Sequence, residues 1–180
     1  MAFITYDQLT NRVQTFAQEK SLTESASTFQ QQDVFLSHST KDHKYVPGVI
    51  QLLSEYGAST YVDDWDKRLP ERPSHVTATI IRTMVYLCPR FIVLVSPNSN
   101  SSRWIPWELG LADAYKGVAP VAILPIAPTD TEQSWIRTEY FGLYPRIVAS
   151  GVYANDFYVI DPRRKFATWE LRQWLKGNIK

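Results

Sequence analysis

Cysteine is nearly absent. The single Cys88 in 180 residues excludes an internal disulfide framework and a cysteine-cluster metal site. It sits in an apolar helical pattern and reads as a small buried hydrophobe. Net charge is nearly absent too: the formal value is +1, and the richest basic run, "DPRRKF", holds only three basic residues. A nucleic-acid binder would carry a larger basic patch, so no such partner is expected. No apolar run approaches the roughly 20 residues that span a membrane. "MAFITYDQLTNRV" lacks a basic start followed by an apolar run, so it is not a signal peptide. The common nucleotide and hydrolase motifs are missing as well: there is no G-x-x-x-x-G-K-[ST] loop, no G-x-G-x-x-G fingerprint and no G-x-S-x-G elbow. His38, His43 and His75 are spread without metal spacing, so no metal is expected. These absences leave a chain expected to be soluble and cytoplasmic, with no membrane partner and no resident cofactor.

What is present is apolar and aromatic. Hydrophobic residues make up 44% and aromatics 13%, with six tryptophans. At this length one domain can bury roughly 70% of the surface its unfolded chain exposes, so no staple is needed. Leu9, Val13, Phe16 and Ala17 fall at helical spacing and predict an amphipathic helix over 7–20, an appendage on the domain or a contact for another copy. The polar "SLTESASTFQQQ" reads as a linker. Residues 1–30 are thus expected to be an N-terminal helix and linker, and residues 31–180 the main domain.

"DVFLS" (33–37) and "STYVD" (59–63) predict two strands, with a helix through Val46, Val49, Ile50 and Leu53 between them that stops at Gly57. Ile80, Ile81, Met84, Leu87 and Cys88 mark a helix over 76–88. "RFIVLVS" (90–96) is apolar without alternation, as in a strand buried on both faces. A helix follows over 103–116, with Trp107, Leu111, Ala114 and Tyr115 on its packed side and Gly117 at its end. The prolines of "VAPVAILPI" (118–126) predict a strand that stops early or lies near an edge. Residues 129–145 read as a short helix and loop, "IVAS" or "YVIDP" as the fifth strand, and 166–176 as a terminal helix with Phe166, Trp169, Leu171 and Trp174. Such alternation argues a parallel sheet with helices on both faces. Ligands of such sheets bind beyond the carboxyl ends of the strands. That singles out the loops "SHSTKD", "DDWDKRLPERPS" and "PNSNSSRWIPWE".

The last of these loops leads into "RWIPWE", where Glu108 follows Trp104 by four residues, one above the other on a helix. A glutamate in a first turn also gains roughly 0.3–1 kcal/mol from the helix dipole, so spacing alone leaves a structural explanation open. The serines and threonine of "SHST" have a similar alternative as helix caps.

Taken together, "DVFLSHSTKD", "YVDD" before a long loop, and "FIVLVSPNSNSSRWIPWELGLA" resemble the TIR (Toll/interleukin-1 receptor) domain, most closely its bacterial branch. The resemblance covers roughly residues 31 to 175. It implies an α/β, flavodoxin-like, doubly wound five-stranded parallel sheet with an extra N-terminal helix. In enzymatic members the glutamate of W-x-x-x-E cleaves the nicotinamide–ribose bond of NAD. Glu108 is then the catalytic carboxylate and Trp104 shapes the pocket beside it. Phe35, Ser37, His38 and Ser39 should line the nucleotide cleft, and Asp63, Asp64 and Trp65 begin the loop that covers it. Arg103 suits a phosphate or simply faces solvent. Lys41 and Asp42 read as helix-start residues. A fixed carboxylate stabilises the cation-like ribosyl transition state, as at glycosidic bonds, without a metal.

A chain of this type resembles the bacterial antiviral enzymes of Thoeris systems, which make a cyclic or modified ADP-ribose signal for a separate effector protein. The resemblance also implies a homo-oligomer through TIR contacts. Two other readings stay open: a non-enzymatic module that self-assembles and recruits a partner, and an N-glycosidase or deoxyribosyltransferase acting on nucleosides.

Overall fold

The computed structural model describes residues 2–27, 31–129, 140–150, 156–164 and 167–178. Its strands are β1 (Ile4–Thr5), β2 (Val34–Ser37), β3 (Thr60–Tyr61), β4 (Arg90–Val95), β5 (Val121–Ala127), β6 (Arg146–Ala149), β7 (Phe157–Ile160) and β8 (Thr168–Glu170). Its α-helices are α1 (Tyr6–Thr10), α2 (Phe16–Ala26), α3 (Val46–Glu55), α4 (His75–Leu87), α5 (Ile105–Lys116) and α6 (Leu171–Leu175). All form around one sheet of order β3-β2-β4-β5-β6-β7-β8, with β1 paired to β5. The first five strands of that order are parallel, which is the expected doubly wound arrangement. Two antiparallel strands, β7 and β8, extend it.

Successive residues of the central strands feed two separate cores. Val34, Leu36, Ile92, Leu94, Ala122 and Leu124 pack with α3 and α6 on one face. Phe35, Phe91, Val93, Val95, Val121 and Ile123 pack with α4 and α5 on the other. The period of two explains why "RFIVLV" shows no polar alternation: both faces are covered. Cys88 is fully buried at the end of α4, and burial pushes its thiol up to about 12.

Several details differ from expectation. The N-terminal helix is two helices, because "TYDQ" and "TFAQ" each supply a Thr cap three residues before a Gln. Thr5 caps α1 in a reciprocal box with Gln8, and Thr15 caps α2 by accepting from the Gln18 amide. Phe16 is 80% exposed rather than packed, and α2 runs on to Ala26 through the expected linker. Ahead of α1, β1 pairs with the end of β5 while Ala2 bridges Ala149 of β6, so the N-terminus wedges between those strands. Leu9 then packs so tightly on α3 that a Cβ on Gly48 would strike the Leu9 carbonyl.

β5 is central, not an edge. The Ile123 amide donates to Pro145 at β6, and two residues on, the missing amide of Pro125 falls where β6 gives way to β1. Both "IVAS" and "YVID" contain strands, the first of them the fifth parallel one. The terminal helix is shorter than expected, because Thr168–Glu170 pair as β8. Phe166 and most of 129–145 lie outside the described residues. Among the described residues, no helix is long and apolar enough to cross a membrane.

Candidate active site

Three loops at the carboxyl ends of β2, β3 and β4 wall a cleft of about 640 Å³ together with α4 and the start of α5. That volume is in the range of small-molecule sites, roughly 300–1,000 Å³. His38, Ser39, Asp63, Asp64, Arg103, Trp104 and Glu108 all line it, so seven of the expected site residues converge.

Glu108 is the most unusual of them. The buried stripe of α5 is Ile105, Glu108, Leu109 and Ala112; of the expected packed side, Trp107 and Leu111 do pack, half-buried, against the core, while Ala114 and Tyr115 are exposed. The tryptophan pair, in edge contact at 5.5 Å, is the more exposed side. A carboxylate thus occupies a core position with 2% exposure. It is tolerated because β2 runs out beneath it. Ser37, on the same face of β2 as Phe35, donates its hydroxyl to Glu108 Oε2. Oε1 has no hydrogen-bond partner among the described residues. Burial, then the negative charges of Asp63 and Asp64, hold the Glu108 carboxyl well above the usual range, with Ser37 opposing.

Asp63 and Asp64 begin the loop after β3. Burial and the neighbouring Asp64 charge raise Asp63 to about 6, against the pull of His38. Asp64 is held low by His38, whose Nε2 lies 3.3 Å from Asp64 Oδ2. The rest of this loop folds around buried Asp66, which accepts from the Tyr61 hydroxyl at 2.7 Å and from the Arg68 guanidinium. That turn presents Leu69, Pro70, Glu71 and Pro73 to the cleft.

The third wall is tied to the first. Asp42, fully buried, accepts from Ser96 at 2.6 Å and from Asn98 at 2.7 Å. Ser96 also caps the 3-10 turn Pro97–Ser101. Asp42 is therefore a brace between two loops, beyond its expected place at a helix start. Lys41 lines the cleft and reaches Ser101 at 3.4 Å. Lys41 and Arg103 are the cleft's Lys and Arg side chains among the described residues.

Three expected cleft residues lie elsewhere. Phe35 is in the core, 5.3 Å from both Tyr61 and Phe91, because period two turns it under α4 and α5. Ser37 lies beneath Glu108 rather than in the cleft wall. Trp65 packs against the α3 core, and its indole donates to His43 Nε2 at 3.0 Å. Conversely, Thr77 and Ile81 of α4 line the cleft, and only the helical period of 76–88 pointed to their neighbourhood.

The fold also gathers histidines that are scattered in sequence. His38, His43 and Asp64 place ligand-type atoms within 4.8 Å of one another. Their geometry disfavours a metal. Accepting the Trp65 indole proton requires a lone pair on His43 Nε2, which leaves the neutral ring's proton on Nδ1, the atom facing Asp64 at 3.9 Å.

The family model that matches the chain is the TIR domain, over residues 34–145. Over 153 residues the chain is 36% identical to a Bacillus cereus (strain MSX-D12) protein named probable 3' cyclic ADP-D-ribose synthase ThsB', covering 81% of this chain and 76% of that one. A Cytobacillus dafuensis protein with a provisional cyclic ADP-D-ribose synthase name, TIR2, is 29% identical over 80 residues, 43% of this chain and 21% of that one. Among solved structures, the TIR domain of the Toll-related receptor TRR-2 from Hydra magnipapillata matches with TM-score 0.44 and 19% identity, over 64% of this chain and 83% of that one.

Proposed function

The chain belongs to the TIR domain family, and from that premise we propose that it cleaves the nicotinamide–ribose bond of NAD, with Glu108 as the catalytic carboxylate. The observation that carries the reading is the buried Glu108 itself, braced on one oxygen by Ser37 and unpartnered on the other. A buried carboxylate in a core stripe has no structural use that a leucine would not serve better.

The chemistry follows from charge. The nicotinamide ring of NAD is cationic, and its arrival beside Glu108 favours the ionised carboxylate that burial and the two aspartates suppress. As the bond breaks, positive charge moves onto the ribose, and the fixed, buried carboxylate stabilises it. Trp104, 38% exposed at the rim, offers a flat face to a ring of the substrate. Lys41 and Arg103 meet the pyrophosphate. The relatives' names favour a cyclic ADP-ribose product over the linear one. Such a product fits a signal for a separate effector in antiviral defence. Residues 31–180 are read as the TIR unit and 1–30 as an added element. Exposed Tyr86, Leu87 and Tyr115 on α4 and α5 supply a surface for self-association.

The test is to incubate the protein with NAD, dilute and concentrated, and to resolve products by liquid chromatography and mass spectrometry. Nicotinamide release with a second product lighter than ADP-ribose by one water supports the cyclase. No release at any concentration, from folded protein, overturns the enzyme reading in favour of an interaction module.

A further inference from the structure

The mechanism above breaks a bond but leaves the acceptor's proton unassigned. Whatever hydroxyl attacks the ribosyl carbon, water or a hydroxyl of the substrate's other ribose, must lose a proton. Glu108 is engaged with the developing positive charge, so a second group is needed.

We propose that His38 is the general base that takes this proton, with Asp64 as the carboxylate that orients it. This assignment rests on the NAD-cleaving reading. His38 lines the same cleft as Glu108 and follows Ser37, the residue that holds Glu108. Its side chain is 1% exposed, so its protonation partner must come from within the cleft. Neither ring nitrogen makes a hydrogen bond among the described residues, and both are buried. Nε2 is the one beside the Asp64 carboxylate, at 3.3 Å, so the negative charge favours the neutral ring's proton on that side and leaves Nδ1 as the lone pair. A base held by a third group, with one free basic nitrogen, is the recurring arrangement for drawing a proton from a hydroxyl. The charged groups that share the cleft with His38 are Lys41, Asp63, Asp64, Asp66, Glu71, Arg103 and Glu108, with Asp64 in contact and His43 beside it.

The step balances. The ribosyl C–N bond breaks and its electron pair returns to the pyridine nitrogen, which becomes neutral. A C–O bond forms from the acceptor oxygen. The acceptor's proton passes to His38 Nδ1, and Asp64 offsets the imidazolium charge until the proton leaves to solvent. Half-exposed His43, held by Trp65, stands 3.9 Å from the same carboxylate.

A pyridine acceptor separates this role from mere positioning, because it attacks through a lone pair and has no proton to lose. NAD is offered with and without 3-acetylpyridine to the wild type and to His38→Gln, and hydroxyl-acceptor products are counted beside the exchanged dinucleotide. The general base predicts that hydrolysis and cyclisation fall by about 10²-fold or more while pyridine exchange stays within about threefold. The product's mass separates water from the ribose hydroxyl as the acceptor. Parallel loss of both reactions, or loss of neither, overturns the assignment. If the wild type takes up no pyridine, imidazole added to His38→Ala decides: restored product supports the base, and no restoration overturns it. A wild type that releases no nicotinamide removes the underlying reading and this assignment with it, a result distinct from parallel loss.

Discussion

Asp63→Asn should stabilise the protein at neutral pH while leaving little gain in acid. Burial and the Asp64 charge move the Asp63 carboxyl from 3.8 to about 6. Between those values the unfolded chain has given up a proton that the folded chain still holds. A folded pKa above the unfolded one is stability present below 3.8 and lost as pH rises through about 6. At about 1.4 kcal/mol per pH unit, that gap amounts to about 3 kcal/mol. Asparagine does not ionise, so the variant escapes the loss. The stability of Asp63→Asn minus that of the wild type should therefore climb by about 3 kcal/mol from about pH 4 to about pH 7. Any constant effect of the substitution on packing cancels in that change. Relief of Glu108, which Asp63 pushes up, adds with the same sign. Urea unfolding followed by tryptophan fluorescence at several pH values measures the difference directly. A difference that stays flat, or falls, across this range would refute the claim that the acidic cluster is assembled against the stability of the fold.

Other expectations follow from single contacts. Gly48→Ala drives a methyl into the Leu9 carbonyl, so it should destabilise by about 1–3 kcal/mol in urea melts and loosen α1 in hydrogen exchange. Ser96→Ala removes a bond to a buried carboxylate and should cost about 1.5–3 kcal/mol, with a raised KM for NAD because the loops on either side of the cleft lose their brace. Phe35→Ala should cost about 3–5 kcal/mol yet leave the KM of the folded fraction unchanged, since Phe35 packs in the core and does not touch the cleft.

Much of the fold is legible in the residues because it rests on periodicity. "RFIVLV" reads as a doubly covered strand, and helix α5 ends where Gly117 adopts a φ of 68°. The N-terminus is harder, since two short helices share one apparent apolar face and only the paired Thr-x-x-Gln caps separate them. The site was legible as a set of loops and as the Trp104 to Glu108 spacing. The orientation of α5 was legible only in part: Trp107 and Leu111 do pack against the core, but hydrophobicity places a glutamate outward. Glu108 breaks that rule at the place where burial serves chemistry rather than stability. Phe35 is the converse case: its place beside "SHS" drew it toward the cleft, while the strand's alternation turned it into the core. The meeting of His38 with His43 depends on a turn between them, which no linear spacing reveals.

The most direct test of the account is the rate of nicotinamide release from NAD by Glu108→Gln beside the wild type, with both shown to be folded by their thermal melts. Glutamine keeps the shape and a hydrogen bond to Ser37 but cannot carry the negative charge. The account predicts a loss of about 10²–10³-fold or more from a variant at least as stable as the wild type at neutral pH. A folded Glu108→Gln protein that releases nicotinamide at the wild-type rate would contradict it.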